Sequence, residues 1–210
     1  DNIPARRPRG ALAILPQPEE TRSIWAARRL LAGRDFQEVV NYSFVDAEWE
    51  RDFCANTAPV TLANPIANQM GVMRSSLVGG LVANLSANLK RRIDRVRVFE
   101  TGRCFLRDGR GGTLADFRQP RRIAGLAAGT ALPEQWGEAA RRVDFFDAKA
   151  EVEALLFPSV ARFERIDHPA LHPGRAAAVV LGAEPVGLVG ELHPRWVQKY
   201  DLGSAPALFE

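Results

Sequence analysis

Leucines at 77, 81, 85 and 89 recur every four residues, and six positions after the last of them the chain changes to the two-residue alternation of RVRVFETGR. A four-residue repeat lays an apolar stripe along a helix, whereas alternation sends successive side chains to opposite faces of a strand. The stretch therefore predicts an apolar-striped helix followed by a strand of an antiparallel sheet. Val78 and Val82 widen the stripe, while Asn84, Asn88, Lys90 and Arg91 fall largely elsewhere, and Ser75 or Ser76 suits the N-cap. Gly79 and Gly80 interrupt the stripe. Each costs about 1 kcal/mol relative to alanine inside a helix, so the pair predicts a close backbone approach, for packing first and ligand contact second.

The other elements arrange themselves around this pair. From about Glu19 the pattern is helical through Ile24, Ala27, Leu30 and Leu31, and Gly33 is suited to end the helix. FQEVVNYSFV, between Gly33 and Asp46, is rich in β-branched and aromatic residues and reads as a strand. DAEWERDF reads as a short helix, Asn64-Pro65 as a turn, GRGGT as a loop and RRIAGLAAG as a strand. VDFFDAKAEVEALL carries Val152, Leu155 and Leu156 on one side of a helix. ARFERID and AAAVVLGAEPVGLVGEL give short apolar runs and a hairpin punctuated by residues 182–185, before a brief helix in HPRWVQKYDL. Neighbouring hairpins with helices grouped around them predict an α+β fold with a mostly antiparallel sheet flanked by helices.

With 210 residues and a net charge of +3, the chain can bury a substantial core and does not require a polyanionic partner. No apolar run reaches the roughly 20 residues that span a bilayer, which predicts a soluble, cytoplasmic protein. Cys54 and Cys104 form no Cys-x-x-Cys pair and read as buried thiols.

Candidate chemistry is sparse. His168 and His172 are four apart, but Pro169 and Pro173 break any helix that would align them, and with His193 they read as turn and strand-end residues; no metal site is expected. Arg74, Glu100 and Arg103 are the candidates for a polar cleft, because a guanidinium and a carboxylate near a strand end form a directional site. Glu100 and Arg103 could equally pair with each other or with the neighbouring helix. An anion at Arg74 would also meet free backbone amides at the helix start. There is no Walker A loop, Gly-x-Ser-x-Gly elbow or His-Glu-x-x-His helix, and no catalytic residue is assigned.

The blocks GRDFQEVVNYSF, NPIANQMGVMRSSL, VRVFETGRCF, VDFFDAKAEVEALL, HPGRAA and GLVGELHP, in this order, resemble the beta chains of bacterial phenylalanyl-tRNA synthetases, in the region shaped like a class II synthetase catalytic domain. The resemblance implies a class II aminoacyl-tRNA synthetase-like antiparallel sheet. It implies residues 1–18 as an extended lead-in from a preceding domain and 19–210 as a core domain that has lost catalysis. In GLVGELHPRW, Glu191, Leu192 and His193 stand where an active enzyme's motif 3 needs a Gly-x-Glu-Arg ending. Residues 21–45 match motif 1, which builds subunit interfaces in that superfamily, so Ile24, Ala27, Leu31, Phe36 and Val39 become interface candidates. The implied partner is the catalytic alpha chain, in an assembly of two alpha and two beta chains that joins phenylalanine to tRNA(Phe). ATP and magnesium are implied for the whole enzyme and no cofactor for this piece, which is expected to lack the tRNA-binding, editing and anticodon-binding domains. The alternative is a relic domain that still binds an adenylate-like ligand through Arg74, Glu100 or Arg103, or tRNA directly through the basic clusters at 90–97, 121–122 and 141–142.

Overall fold

A computed structural model describes residues 22–107 and 117–210. The lead-in expected at 1–18 and the GRGGT loop lie outside the described residues.

The helix predicted over the leucine repeat is α3 (Val78–Lys90). Leu77, Leu81 and Leu85 are fully buried, each worth roughly 1.5–3 kcal/mol relative to exposure. Its partner strand is β4 (Val96–Arg103), which sends Val96, Val98 and Glu100 to the helix side and Phe99 to the other. The glycine pair packs as the sequence implies: a Cβ at Gly79 would lie 2.8 Å from Cε3 of Trp49, and one at Gly80 would lie 3.0 Å from Nδ2 of Asn41.

The main sheet has seven strands. β1 (Gln37–Glu38) runs parallel to β4; beyond it follow β7 (Arg121–Ala128), β11 (Ala207–Phe209), β10 (Glu184–Leu192), β9 (Leu171–Leu181) and β8 (Arg162–Arg165), all antiparallel to their neighbours. Helices cover both faces. On one side α3, α2 (Ala47–Cys54) and α5 (Pro194–Lys199) enclose Val96, Val98, Leu126, Leu192 and Leu208; on the other α1 (Ile24–Gly33) and α4 (Phe145–Leu156) enclose Phe99, Val179, Val189 and Phe209. The α+β, mostly antiparallel architecture is the one expected.

Local chemistry sets the helix starts. Ser23 accepts from Ala26 N at α1, Asp46 from Glu48 N at α2, and Asp144 with Asp147 forms a capping box at α4. Neither Ser75 nor Ser76 is the N-cap of α3; Leu77 occupies that position without a side-chain cap, although Ser76 Oγ accepts from Val78 N at 3.1 Å. A second departure concerns FQEVVNYSFV. Instead of one strand it splits into β1 and β2 (Phe44–Val45), and β2 pairs with β3 (Val72–Met73) in a separate two-stranded sheet. Asn41 causes the break, because its backbone N–H and side-chain amide both turn to the carboxylate of Glu100. β11 was not anticipated at all: three residues after Pro206 carry too little periodicity to read.

Candidate functional site

The segment RSSL, residues 74–77, enters α3 between three carboxylates that arrive from distant parts of the chain. Glu100 on β4 takes Arg74, Nη1 to Oε1 at 2.7 Å, in a pair whose side chains are 5% and 2% exposed. Glu50 on α2 accepts from Ser75 N at 2.8 Å, from Ser75 Oγ at 2.5 Å and from Asn56 Nδ2 at 2.7 Å. Glu210 accepts from Leu77 N at 2.7 Å and Ser76 Oγ at 2.9 Å, and pairs with Arg122 at 3.1 Å. Negative charge at this end of α3 is favoured by the helix dipole and by its free amides. The anion that the sequence allowed for at the helix start is thus the chain's own Glu210 carboxylate.

The Arg74 guanidinium is held on further sides. Its Nε donates to Arg103 O at 3.1 Å and Nη1 to Tyr42 O at 3.4 Å. The opposite oxygen of Glu100 accepts from Asn41 Nδ2 at 2.7 Å, and that same amide nitrogen donates to Asn84 Oδ1 at 3.0 Å. Gly102 makes the arrangement possible: a Cβ there would lie 2.1 Å from Arg74 Nη2. A charged pair this deep is tolerated when geometry and additional hydrogen bonds compensate for lost hydration, as here.

Of the three cleft candidates, the structure therefore joins Arg74 to Glu100 and leaves Arg103 apart. Arg103 contributes its backbone carbonyl to the network, while its guanidinium is exposed and donates to Gln119 O at 3.2 Å. Asn41 and Asn84 are the members that sequence reasoning missed. The signal was the polar Asn41 between Val40 and Tyr42, and another Asn at 84 beside the leucine stripe.

Over this network lies a cavity of about 210 Å³ walled by Tyr42, Phe44, Trp49, Met70 and Ala83. Tyr42 stacks on Phe44 with centroids 4.9 Å apart, yet is 64% exposed; the adjacent Val40 is 89% and Ile66 79% exposed. Val40 and Tyr42 form an apolar ledge along the segment joining β1 to β2. The five interface candidates lie differently. Leu31 and Phe36 are buried in the chain's own core, and Ile24, Ala27 and Val39 are half-buried, whereas Trp25 on α1 is exposed with Arg28 over its ring. The period of α1 located the core-facing side of the helix, and the exposed groups are their neighbours.

The three histidines serve turns. Nδ1 of His168, His172 and His193 each accepts from the backbone amide two residues on, at 3.3, 3.0 and 3.1 Å. Among the described residues no group of three His, Cys, Asp or Glu is placed to hold a metal ion, and no helix is long and apolar enough to cross a membrane.

A sequence model described as "Phenylalanyl tRNA synthetase beta chain CLM domain" matches residues 3–210. Curated relatives called phenylalanine–tRNA ligase beta subunit are similar over the whole chain: 61% identity for that of Aromatoleum aromaticum, and 55% for those of Dechloromonas aromatica and Chromobacterium violaceum. The chain spans only 26–27% of the length of these relatives. Among solved structures, that of Desulfitobacterium hafniense PylSc, a pyrrolysyl tRNA synthetase, superposes with a TM-score of 0.59 at 12% identity, covering 87% of this chain and 60% of that one. At that identity the likeness speaks for the fold alone, which is the class II synthetase-like one.

Proposed function

The chain belongs to the family of phenylalanyl-tRNA synthetase beta chain CLM domains, and from that premise we propose that it is a non-catalytic scaffold. In this reading residues 19–210 form one core domain that packs against the catalytic alpha chain of a cytoplasmic ligase charging tRNA(Phe) with phenylalanine. The whole enzyme, with two alpha and two beta chains, uses ATP and magnesium, and this domain binds neither.

One observation carries the scaffold reading over the adenylate-binding one. The polar groups that a ligand would need are already committed to one another: Arg74 is 4% and Glu100 2% exposed, and the helix amide at Leu77 is taken by Glu210. A ligand competing for Arg74 would have to leave Glu100 as an unpaired buried charge. The exposed surface beside the cavity is apolar. Val40 and Tyr42 protrude beside the cavity, and exposed aromatic side chains next to a pocket are the usual anchors of a protein interface.

Co-purification of the chain with its cognate alpha chain tests this. Wild type is expected to be captured in stoichiometric amount, and Val40→Asp with Tyr42→Asp to weaken capture at least about tenfold while the fold survives, since both side chains are mostly exposed. Failure of well-folded wild type to be captured, or capture of the variant at wild-type strength, overturns the assignment. Calorimetry with a phenylalanyl-adenylate analogue is expected to give no heat of binding.

A further inference from the structure

Strands β4 and β7 run side by side, and at one end they lead into a short arm in which β5 (Leu106–Arg107) pairs with β6 (Phe117–Arg118). At the other end, where β4 begins and β7 finishes, the loop of residues 130–142 borders a cavity of about 740 Å³. The loop is tied at its base. Thr130 bridges to Arg142, Ala131 N donates to Arg141 O at 2.9 Å and Val143 N donates to Gly129 O at 3.0 Å. Arg95 and Arg97 on the strand side both donate to Ala131 O, at 3.2 and 3.3 Å. Compact loops whose ends are joined in this way are frequently functional.

Charge is unevenly supplied around this cavity. Arg95 pairs with Asp35 at 2.7 Å, Glu151 is shared by Arg34 and Arg97, and Arg141 takes Asp147 for itself through two bonds of 2.7 Å. Four guanidiniums thus share three carboxylates. The Arg97 side chain is only 9% exposed, and Nε of both Arg95 and Arg97 is buried without a hydrogen-bond partner. Buried donors of this kind call for an acceptor. Burial also lowers the pKa of Arg97 even with Glu151 beside it, so a further anion nearby would be favoured. The loop side has the opposite imbalance. Glu134 and Glu138 line the same cavity, are exposed, and form no ion pair among the described residues.

We propose that this cavity is a binding site for a zwitterionic small molecule of the amino-acid class. Its carboxylate is taken on the strand side by Arg95 and Arg97, its ammonium on the loop side by Glu134 and Glu138, and an aliphatic side chain lies along Leu132 and Pro133. Guanidinium N–H groups match the two oxygens of a carboxylate in bidentate geometry. A simple anion is the poorer occupant because both glutamates oppose it, and a simple cation is opposed by the arginines. The volume is of the size that small-molecule sites have. Arg97 lies over the ring of Phe36 at 4.5 Å, on the face of the sheet opposite to Glu100. The inference therefore does not depend on the Arg74–Glu100 network or on how the ledge at Val40 and Tyr42 is used.

The test is isothermal titration calorimetry of the chain with L-leucine, taken to about 10 mM, beside leucinamide, which lacks the carboxylate, and N-acetyl-leucine, which lacks the ammonium. Leucine is expected to bind with a Kd on the order of 1 mM, and each capped analogue at least about tenfold more weakly. Glu134→Gln with Glu138→Gln removes both charges of the loop side at exposed positions and should lower the affinity for leucine to that for N-acetyl-leucine. Melting temperature monitors the fold of this variant. Should the variant unfold, the two capped analogues on wild type are read instead, with the same loss expected. Three results overturn the proposal: no saturable heat from leucine up to about 10 mM with the folded wild type, either capped analogue binding as tightly as leucine, or the folded variant binding leucine as tightly as wild type.

Discussion

Removing the Arg74 guanidinium while keeping its bulk, as in Arg74→Met, isolates the buried network at the start of α3. The variant loses the 2.7 Å pair with Glu100 and the 3.1 Å bond to Arg103 O, and leaves a carboxylate that is 2% exposed without its cation. Breaking a buried pair from one side costs about 3–5 kcal/mol, and the orphaned carbonyl adds about 1 kcal/mol. Asn41 still donates twice to Glu100, which offsets part of this, so the expected loss is about 3–5 kcal/mol. With a urea slope of about 2–3 kcal/mol per molar, the midpoint of unfolding should move down by roughly 1–2.5 M at unchanged slope. The double variant Arg74→Met with Glu100→Met removes both charges, and about 1–3 kcal/mol of the single-variant loss should return. Equilibrium urea unfolding of the four species of this cycle is the assay. A single-variant loss under about 1 kcal/mol, or strictly additive losses in the cycle, would refute the reasoning that the pair is internally satisfied and held against desolvation.

Three further outcomes follow from the same structure. Gly79→Ala should destabilise by about 1–3 kcal/mol despite its better helix propensity, because the new Cβ meets Trp49 at 2.8 Å; Gly33→Ala, with nothing within 4 Å, should be neutral or gain up to about 1 kcal/mol in thermal unfolding. The pKa of His168 is lowered from 6.5 by burial and then by Arg122, and that of His193 by desolvation and then by Arg195. The folded chain thus takes up these protons less readily than the unfolded one. The stability they confer is complete above the ordinary value and is lost as pH falls through the lowered ones. Melting temperature should accordingly fall below about pH 6.5, and His193→Asn, which keeps an N-cap acceptor that does not titrate, should fall less; identical profiles would refute this. Burial raises the Cys54 and Cys104 thiols to about 12, with Glu50 adding to the effect at Cys54, so a thiol-disulfide reagent at pH 8 should leave both unmodified in the folded chain and react with both in urea.

Long elements with a strong period were legible. The leucine repeat placed α3, alternation placed β4, and the spacing of Val152, Leu155 and Leu156 placed α4. What the sequence could not reveal depends on groups far apart along the chain. Glu50, Glu100 and Glu210 converge on residues 74–77 across separations of 25 to 134 positions, and nothing local marks a glutamate as one that will be buried. FQEVVNYSFV read as one strand because β propensity reports side-chain packing and is silent on a backbone break imposed by Asn41 bonding to Glu100. The same limit separated Arg74 and Glu100 from Arg103: their proximity in FETGR concealed that Glu100 faces α3 whereas the Arg103 guanidinium reaches Gln119.

The position of β11 governs the order in which the molecule can become whole. Its three residues lie between β7 and β10, so among the described residues they are the only strand joining a β1–β4–β7 half to a β10–β9–β8 half of the sheet. Until they are in place, β7 and β10 each present an unpaired edge, along residues 125–127 and 189–191. Such edges template pairing with other chains, and closing them requires a contact spanning some 80 residues, from Phe209 to Gly125. Late, long-range closure of this kind slows folding and prolongs exposure to aggregation. During synthesis on the ribosome, the two halves must therefore wait as separate open sheets until Ala207–Phe209 leaves the exit tunnel.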